Sequence, residues 1–187
     1  EPFGVAVHGA SHVRMVGDTV AIVGTGPIGL FCVTLARAMG ASRIIAIDVS
    51  DYRLSLAKKV GADYALNTTN VDVVTQVKDL TSGLGVGVVF ETSGNVHAVK
   101  QSFEMLRKCG SHVMIGLPSA PISLDAGPDI VWKGAKIYGV HGRDTFTTWE
   151  IAKNLLCQEI VDLEPLLTHR FAYPDFAKAV DLCKAGE

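Results

Sequence analysis

Val20-Ala21-Ile22-Val23-Gly24-Thr25-Gly26-Pro27-Ile28-Gly29-Leu30-Phe31 sets an apolar run directly against three glycines and a proline, then turns apolar again. Thr19–Val23 is short, β-branched and nearly all apolar, the pattern of a strand covered on both faces. Ile28–Met39 carries apolar residues three and four apart, the period of a helix. The glycines therefore lie between a strand and a helix. In that setting Gly24-Thr25-Gly26-Pro27-Ile28-Gly29 meets the spacing and the context of a dinucleotide fingerprint. Gly24 would allow the tight turn, Gly26 the approach of a pyrophosphate to the backbone, and Gly29 the close packing of helix on strand. Pro27 suits the first helical turn, where its missing N–H would have had no intrahelical partner. The exposed amides and positive end of such a helix favour a diphosphate.

Outward from this stretch the same alternation continues. Ile44–Asp48, Asp63–Leu66, Val88–Glu91, His112–Ile115 and Ile137–Val140 read as further strands. Tyr52–Val60, Val71–Leu80, Val96–Leu106 and Phe146–Cys157 carry the helical period between them. Alternating strands and helices predict βαβ units, and strands apolar on both faces need helices above and below. The expected fold is α/β, a doubly wound parallel six-stranded sheet, the Rossmann fold, in a single dinucleotide-binding domain over 1–187. Gly40, Gly61 and Gly110 each follow a helical run, where positive φ is expected.

The second strand indicates which nucleotide. Asp48 follows Gly29 by 19 residues, close to the ~20 at which an acid meets the adenosine ribose of NAD. A 2′-phosphate would lie almost on that carboxylate, and like charges ~4 Å apart at an effective dielectric near 20 repel by roughly 4 kcal/mol. Arg53, five residues on, could instead accommodate such a phosphate, stack on adenine, or bridge the ribose and Asp48. The acid is given the greater weight. Ligands of open α/β sheets lie beyond the carboxyl ends of the strands. Glu91-Thr92-Ser93-Gly94 and Gly116-Leu117-Pro118 are therefore expected to wall the nicotinamide half.

Composition fits a protein that handles small molecules. With 17 basic and 19 acidic residues in 187, no charge surplus points to nucleic acid or anionic lipid. No run approaches the ~18 apolar residues of a membrane span. Cys32, Cys109, Cys157 and Cys183 form no CxxC pair, and no Cys/His run has zinc-site spacing. They read as reduced, mostly buried thiols of a cytoplasmic protein. His12, His97 and His112 read as surface groups, His8 as part of a leading helix, and His169 equally as a cap or packing residue or as a group touching ligand.

Several longer stretches carry a resemblance. GPIGL, IAIDVSDYRLSLAKKVGADYALN, the ETSG and IGLP turns, GRDTFTTWE and LLTHRF are similar to segments of the zinc-dependent medium-chain dehydrogenases. G-R-x-x-F-x-T-W at Gly142–Trp149 and T-H-R-F at Thr168–Phe171 resemble most the branch that oxidises L-threonine. The resemblance covers essentially the whole chain and is that of a cofactor half. It implies NAD contacts at Ile28, Asp48, Arg53, Ile115-Gly116-Leu117 and Val140-His141, beside Gly24, Gly26, Pro27 and Gly29 of the fingerprint and Ser93 and Gly94 of the wall. It also implies a proton-relay role for Glu1, in a segment E-P-F-G-x-A-V-H where Val5 replaces the usual Asn. Zinc would be bound by a domain absent here, with no metal ligand in this chain. The implied substrate is L-threonine and the implied assembly a homodimer or homotetramer. A polyol or secondary-alcohol dehydrogenase would have much the same cofactor half, and a non-catalytic nucleotide-binding module is the alternative of another class.

Overall fold

The computed structural model describes residues 1–185. Six strands, β1 (Thr19–Val23), β2 (Arg43–Asp48), β3 (Tyr64–Asn67), β4 (Val86–Glu91), β5 (Leu106–Met114) and β6 (Lys136–Gly139), pair in parallel in the order β3-β2-β1-β4-β5-β6. This is the doubly wound dinucleotide-fold order. The helices are α1 (Pro2–Ser11), α2 (Pro27–Ala38), α3 (Asp51–Lys59), α4 (Val73–Leu80), α5 (Val96–Met105), α6 (Thr147–Cys157) and α7 (Phe176–Ala185).

Alternation along each strand distributes the core between two layers. Val20, Ile22, Ile44, Ala46, Val88 and Phe90 pack with α1, α2 and α3 on one face. Ala21, Val23, Ile45, Ile47 and Val89 pack with α4 and the end of α5 on the other. Nearly every residue of β1, β2 and β4 is buried, as continuous apolar runs require of a doubly covered sheet.

Three expectations need correction. Gly40 and Gly61 do have positive φ past α2 and α3, but Gly110 does not cap α5. That helix passes directly into β5, because Leu106, buried, pairs at once with Val86. The ladder then jumps to Val88 against Ser111, so Gly110 lies inside an irregular stretch whose positive φ falls on Cys109. The thiols are not mostly buried. Cys32 alone is, its pKa pushed up by burial, while Cys109, Cys157 and Cys183 are exposed. Helix α7 and its approach were not anticipated, since that segment has no fully buried residue to sharpen its period.

The third correction is His112, which is fully buried on β5 and stacked on Phe103 at 4.1 Å between ring centroids. The Ser102 hydroxyl donates to the Val99 carbonyl at 2.5 Å, so His112 Nε2–H donates to Ser102 Oγ at 2.6 Å. Nδ1 then has no partner among the described residues. Burial, helped by Lys133, lowers the imidazole pKa to about 3. A histidine neutral when folded and protonatable when unfolded costs stability as pH falls below its unfolded value near 6.5. From pH 6.5 to 4.5 that loss is roughly 2–3 kcal/mol. Urea denaturation of His112→Leu across this window should show a correspondingly flatter acid limb than the unmodified chain.

Candidate functional site

The carboxyl ends of β1, β2, β4 and β5, at Val23, Asp48, Glu91 and Met114, finish along one edge of the sheet in register. The glycine turn opens there. Gly24 has φ +87 and donates its N–H to the Ile47 carbonyl at 2.8 Å. A Cβ on Gly24 would lie 2.9 Å from the Ser93 nitrogen, and one on Gly29 would run into the Gly24 carbonyl and Thr92. A Cβ on Gly26 would meet nothing within 4 Å. Two of the three glycines are thus required by packing, and the third faces open space. Gly26 is the N-cap of α2 with Pro27 in its first turn, which leaves the next amides, those of Ile28 and Gly29, at a helix start.

A cavity of about 540 Å³ adjoins this turn, with Gly24, Gly26, Asp48, Arg53, Ser93 and His97 in its lining. The size is that of a small-molecule or cofactor site. Asp48, only 7% exposed, accepts at Oδ2 from Thr25 N–H (2.6 Å) and Thr25 Oγ (3.0 Å), and at Oδ1 from Ser50 N–H at 2.9 Å. That occupies three of a carboxylate's roughly four acceptor positions. Helix α3 takes its side-chain cap from Ser50, which accepts from Arg53 N–H at 3.4 Å, so Asp48 is not its cap. Arg53 borders both this cavity and a hollow of about 200 Å³ lined by Thr25, Pro27, Leu30, Tyr52 and Thr168.

The turn after β4 joins the two sides. Thr92 Oγ donates to the Gly24 carbonyl at 2.7 Å. Glu91, fully buried, accepts from Ser93 and Gly94. Burial raises its carboxyl above the usual range, and those hydrogen bonds draw it partly back. Gly94 and Gly116 meet backbone to backbone, with Leu117 against Gly94. Ile115 and Gly116 both donate N–H to the Glu91 carbonyl, and Val140 donates to the Met114 carbonyl at 2.9 Å.

The structure therefore brings Gly24, Gly26, Asp48, Arg53 and Ser93 onto one cavity. Gly94, Ile115, Gly116, Leu117, Val140 and His141 lie on the same sheet edge outside its lining, with Leu117 80% exposed. Glu1 stands elsewhere, just before α1, where it pairs with Arg143 Nε at 2.5 Å. Arg143 in turn covers the Trp149 ring at 4.5 Å. Sequence reasoning placed Glu91 only as part of a wall and missed Thr25 and Arg143 as site groups. For Glu91 there was a signal, an acid ending an otherwise apolar strand; for Arg143 no spacing could supply one. Among the described residues no group of three or more His, Cys, Asp or Glu could hold a metal ion, and no helix is long and apolar enough to cross a membrane.

Fold and turn define a doubly wound nucleotide-type domain, and comparison with known proteins gives its family. Residues 27–157 match the zinc-binding dehydrogenase family, and the chain belongs to it. It is 42% identical over its whole length to L-threonine 3-dehydrogenase of Bacillus velezensis and 39% identical to that of Bacillus subtilis. The chain spans about half the length of these curated relatives, 54% in each case. An alcohol dehydrogenase from Thermotoga maritima superposes with TM-score 0.86 at 30% identity, over 98% of this chain and 52% of its own. A protein from Sinorhizobium meliloti described as a zinc-binding dehydrogenase, bound to NADP, superposes with TM-score 0.80 at 29% identity, over 87% and 48% respectively.

The glycines should separate experimentally. Gly26→Ala, entering open space, should cost at most about 1 kcal/mol through the poorer N-cap. Gly29→Ala meets backbone that cannot swing aside and should cost about 1–3 kcal/mol. Chemical denaturation of the two variants reads the difference.

Proposed function

We propose that this chain is the cofactor-binding part of a cytoplasmic, NAD-dependent L-threonine 3-dehydrogenase, converting L-threonine and NAD to 2-amino-3-oxobutanoate and NADH. The observation that carries the cofactor reading is the open backbone at Gly26 sharing one cavity with the Asp48 carboxylate. The substrate reading is supported by the full-length likeness to the Bacillus enzymes.

In this reading the Ile28 amide, at the start of α2 beside Gly26, meets the pyrophosphate, favoured by the helix dipole. Asp48 accepts from the adenosine ribose at its remaining acceptor position, and at a second when the Thr25 hydroxyl turns aside. Arg53 lies along the same ribose. The nicotinamide end then runs over Ser93 and Gly94 toward Ile115-Gly116-Leu117 and Val140-His141. Bound there, the dinucleotide supplies a hydride acceptor. The chain's own contribution is placement, and holding reactants in near-attack geometry removes several kcal/mol from a barrier. Glu1, 58% exposed on its side chain and paired with Arg143, is the group proposed to relay the substrate's proton. The family's zinc has no ligand set among the described residues.

The sheet edge supports the reading of the assembly. β6 is the last strand in the order, with Ile137 40% exposed on it and Val131 and Trp132 exposed just before it. Pairing of β6 with a second copy would bury that edge in a homodimer, or in a homotetramer of such dimers. Sedimentation should give at least a dimer, and a monomer at high micromolar concentration would refute this.

Calorimetric titration should show NAD binding more tightly than NADP, and Asp48→Ser should weaken NAD while relieving NADP. Equal affinity of the unmodified chain for both cofactors defeats the NAD assignment. Fluorescence titration should detect NADH binding, without threonine oxidation by the chain alone. NADH formation from threonine by the purified chain would show that the catalytic groups are all within it.

A further inference from the structure

Glu91 ends β4, between β1 and β5, and has no exposed surface. A carboxylate there is costly unless donors meet its oxygens. Oε1 accepts from Ser93 N–H at 2.9 Å, from Gly94 N–H at 3.1 Å and from the Ser93 hydroxyl, and Gly94 N–H also reaches Oε2 at 3.3 Å. Oε2 lies toward the turn after β5, where a Cβ on Gly116 would come within 2.7 Å of it. The turn so gathered is tied on its other side to the glycine turn, through Thr92 Oγ to the Gly24 carbonyl and Ser93 against Gly24. One carboxylate therefore sits under three turns. A glutamine amide would not serve equally, because it has one acceptor oxygen and its NH₂ would face the Gly94 N–H.

We propose that Glu91 is a positioning residue for the nicotinamide end of the dinucleotide: by gathering the Ser93–Gly94 turn against Gly116 it fixes the wall on which the ring lies. The adenosine end is held at Gly26 and Asp48, in a cavity whose lining does not include Glu91. The inference rests on the cofactor reading above and adds a division of labour between two buried acids. Asp48 meets the ligand, and Glu91 shapes the surface that the ligand's other end meets. Its removal therefore changes selectivity between ligands that share one end, which a purely structural role would leave alone.

The test titrates the unmodified chain, Glu91→Gln and Ser93→Ala with NADH, by fluorescence, and with ADP, by calorimetry. ADP shares the adenosine diphosphate half and lacks the nicotinamide. Glu91→Gln should weaken NADH about tenfold, the equivalent of one charge-assisted hydrogen bond, and leave ADP within about twofold. Ser93→Ala, which keeps both backbone donors, should show the same selectivity with a smaller loss. Circular dichroism establishes that each variant is folded, and Ser93→Ala decides if Glu91→Gln is not. Equal losses for both ligands, or unchanged NADH affinity in a folded variant, overturn the proposal. Failure of the unmodified chain to bind either ligand defeats the cofactor reading itself, whereas ADP binding without the expected selectivity defeats only the role of Glu91.

Discussion

Backbone meets backbone along the carboxyl edge of this sheet with no room for a side chain between. Gly24 lies against Ser93, Gly29 against the Gly24 carbonyl, Gly94 against Leu117, and Gly116 against Gly94. Gly24 on Ser93 joins the turns after β1 and β4, Gly94 on Leu117 and Gly116 on Gly94 join those after β4 and β5, and Gly29 seats α2 on the first, so that the three turns form one surface. The helix start at Gly26, the cavity beside Asp48 and the burial of Glu91 all depend on that closeness. A single methyl group at Gly29 or Gly116 would push apart elements that lie far from each other in the chain.

Much of this was legible in the sequence because it is local. The strand, the glycine turn and α2 are specified within 20 residues by a change of period and by Gly and Pro at positions whose chemistry is known. Asp48 was legible because a strand and a helix of ordinary length fix the distance from one turn to the next strand end. What escaped depends on partners far along the chain. The boundary between α5 and β5 is set by Leu106 meeting Val86, and the burial of His112 by Phe103 and Ser102 folding over it. A histidine in an alternating strand looks the same whether its face is wet or dry. The engagement of Asp48 by Thr25 and the Glu1–Arg143 pair are of this second kind, decided by where turns bring groups together.

Asp48 and Glu91 show how the same position, the last residue of a parallel strand, takes two characters. Asp48 opens on a cavity and keeps acceptor capacity to spare. Glu91 is enclosed, and its hydrogen bonds run to its own turn. The difference comes from the neighbouring strands. β2 has the short β3 beyond it, while β4 has the long β5, and Gly116 in the turn after β5 closes over the carboxylate.

The central seam of the sheet also has a temporal meaning. β1 and β4 are neighbours in space, yet Ala21 pairs with Val89, and two strands and three helices separate them in the chain. A chain emerging from the ribosome presents β1, β2 and β3 first, with the flank of β1 unpaired and the glycine turn lacking the Ser93 and Thr92 that support it. Closing so long a loop is slow, because its entropy is lost before any contact repays it. The half-built sheet is then a period of exposure to other chains, and the cavity exists only once the second half has docked. Ligand binding, arriving last, would act as a latch on a finished molecule and give no help to one still assembling.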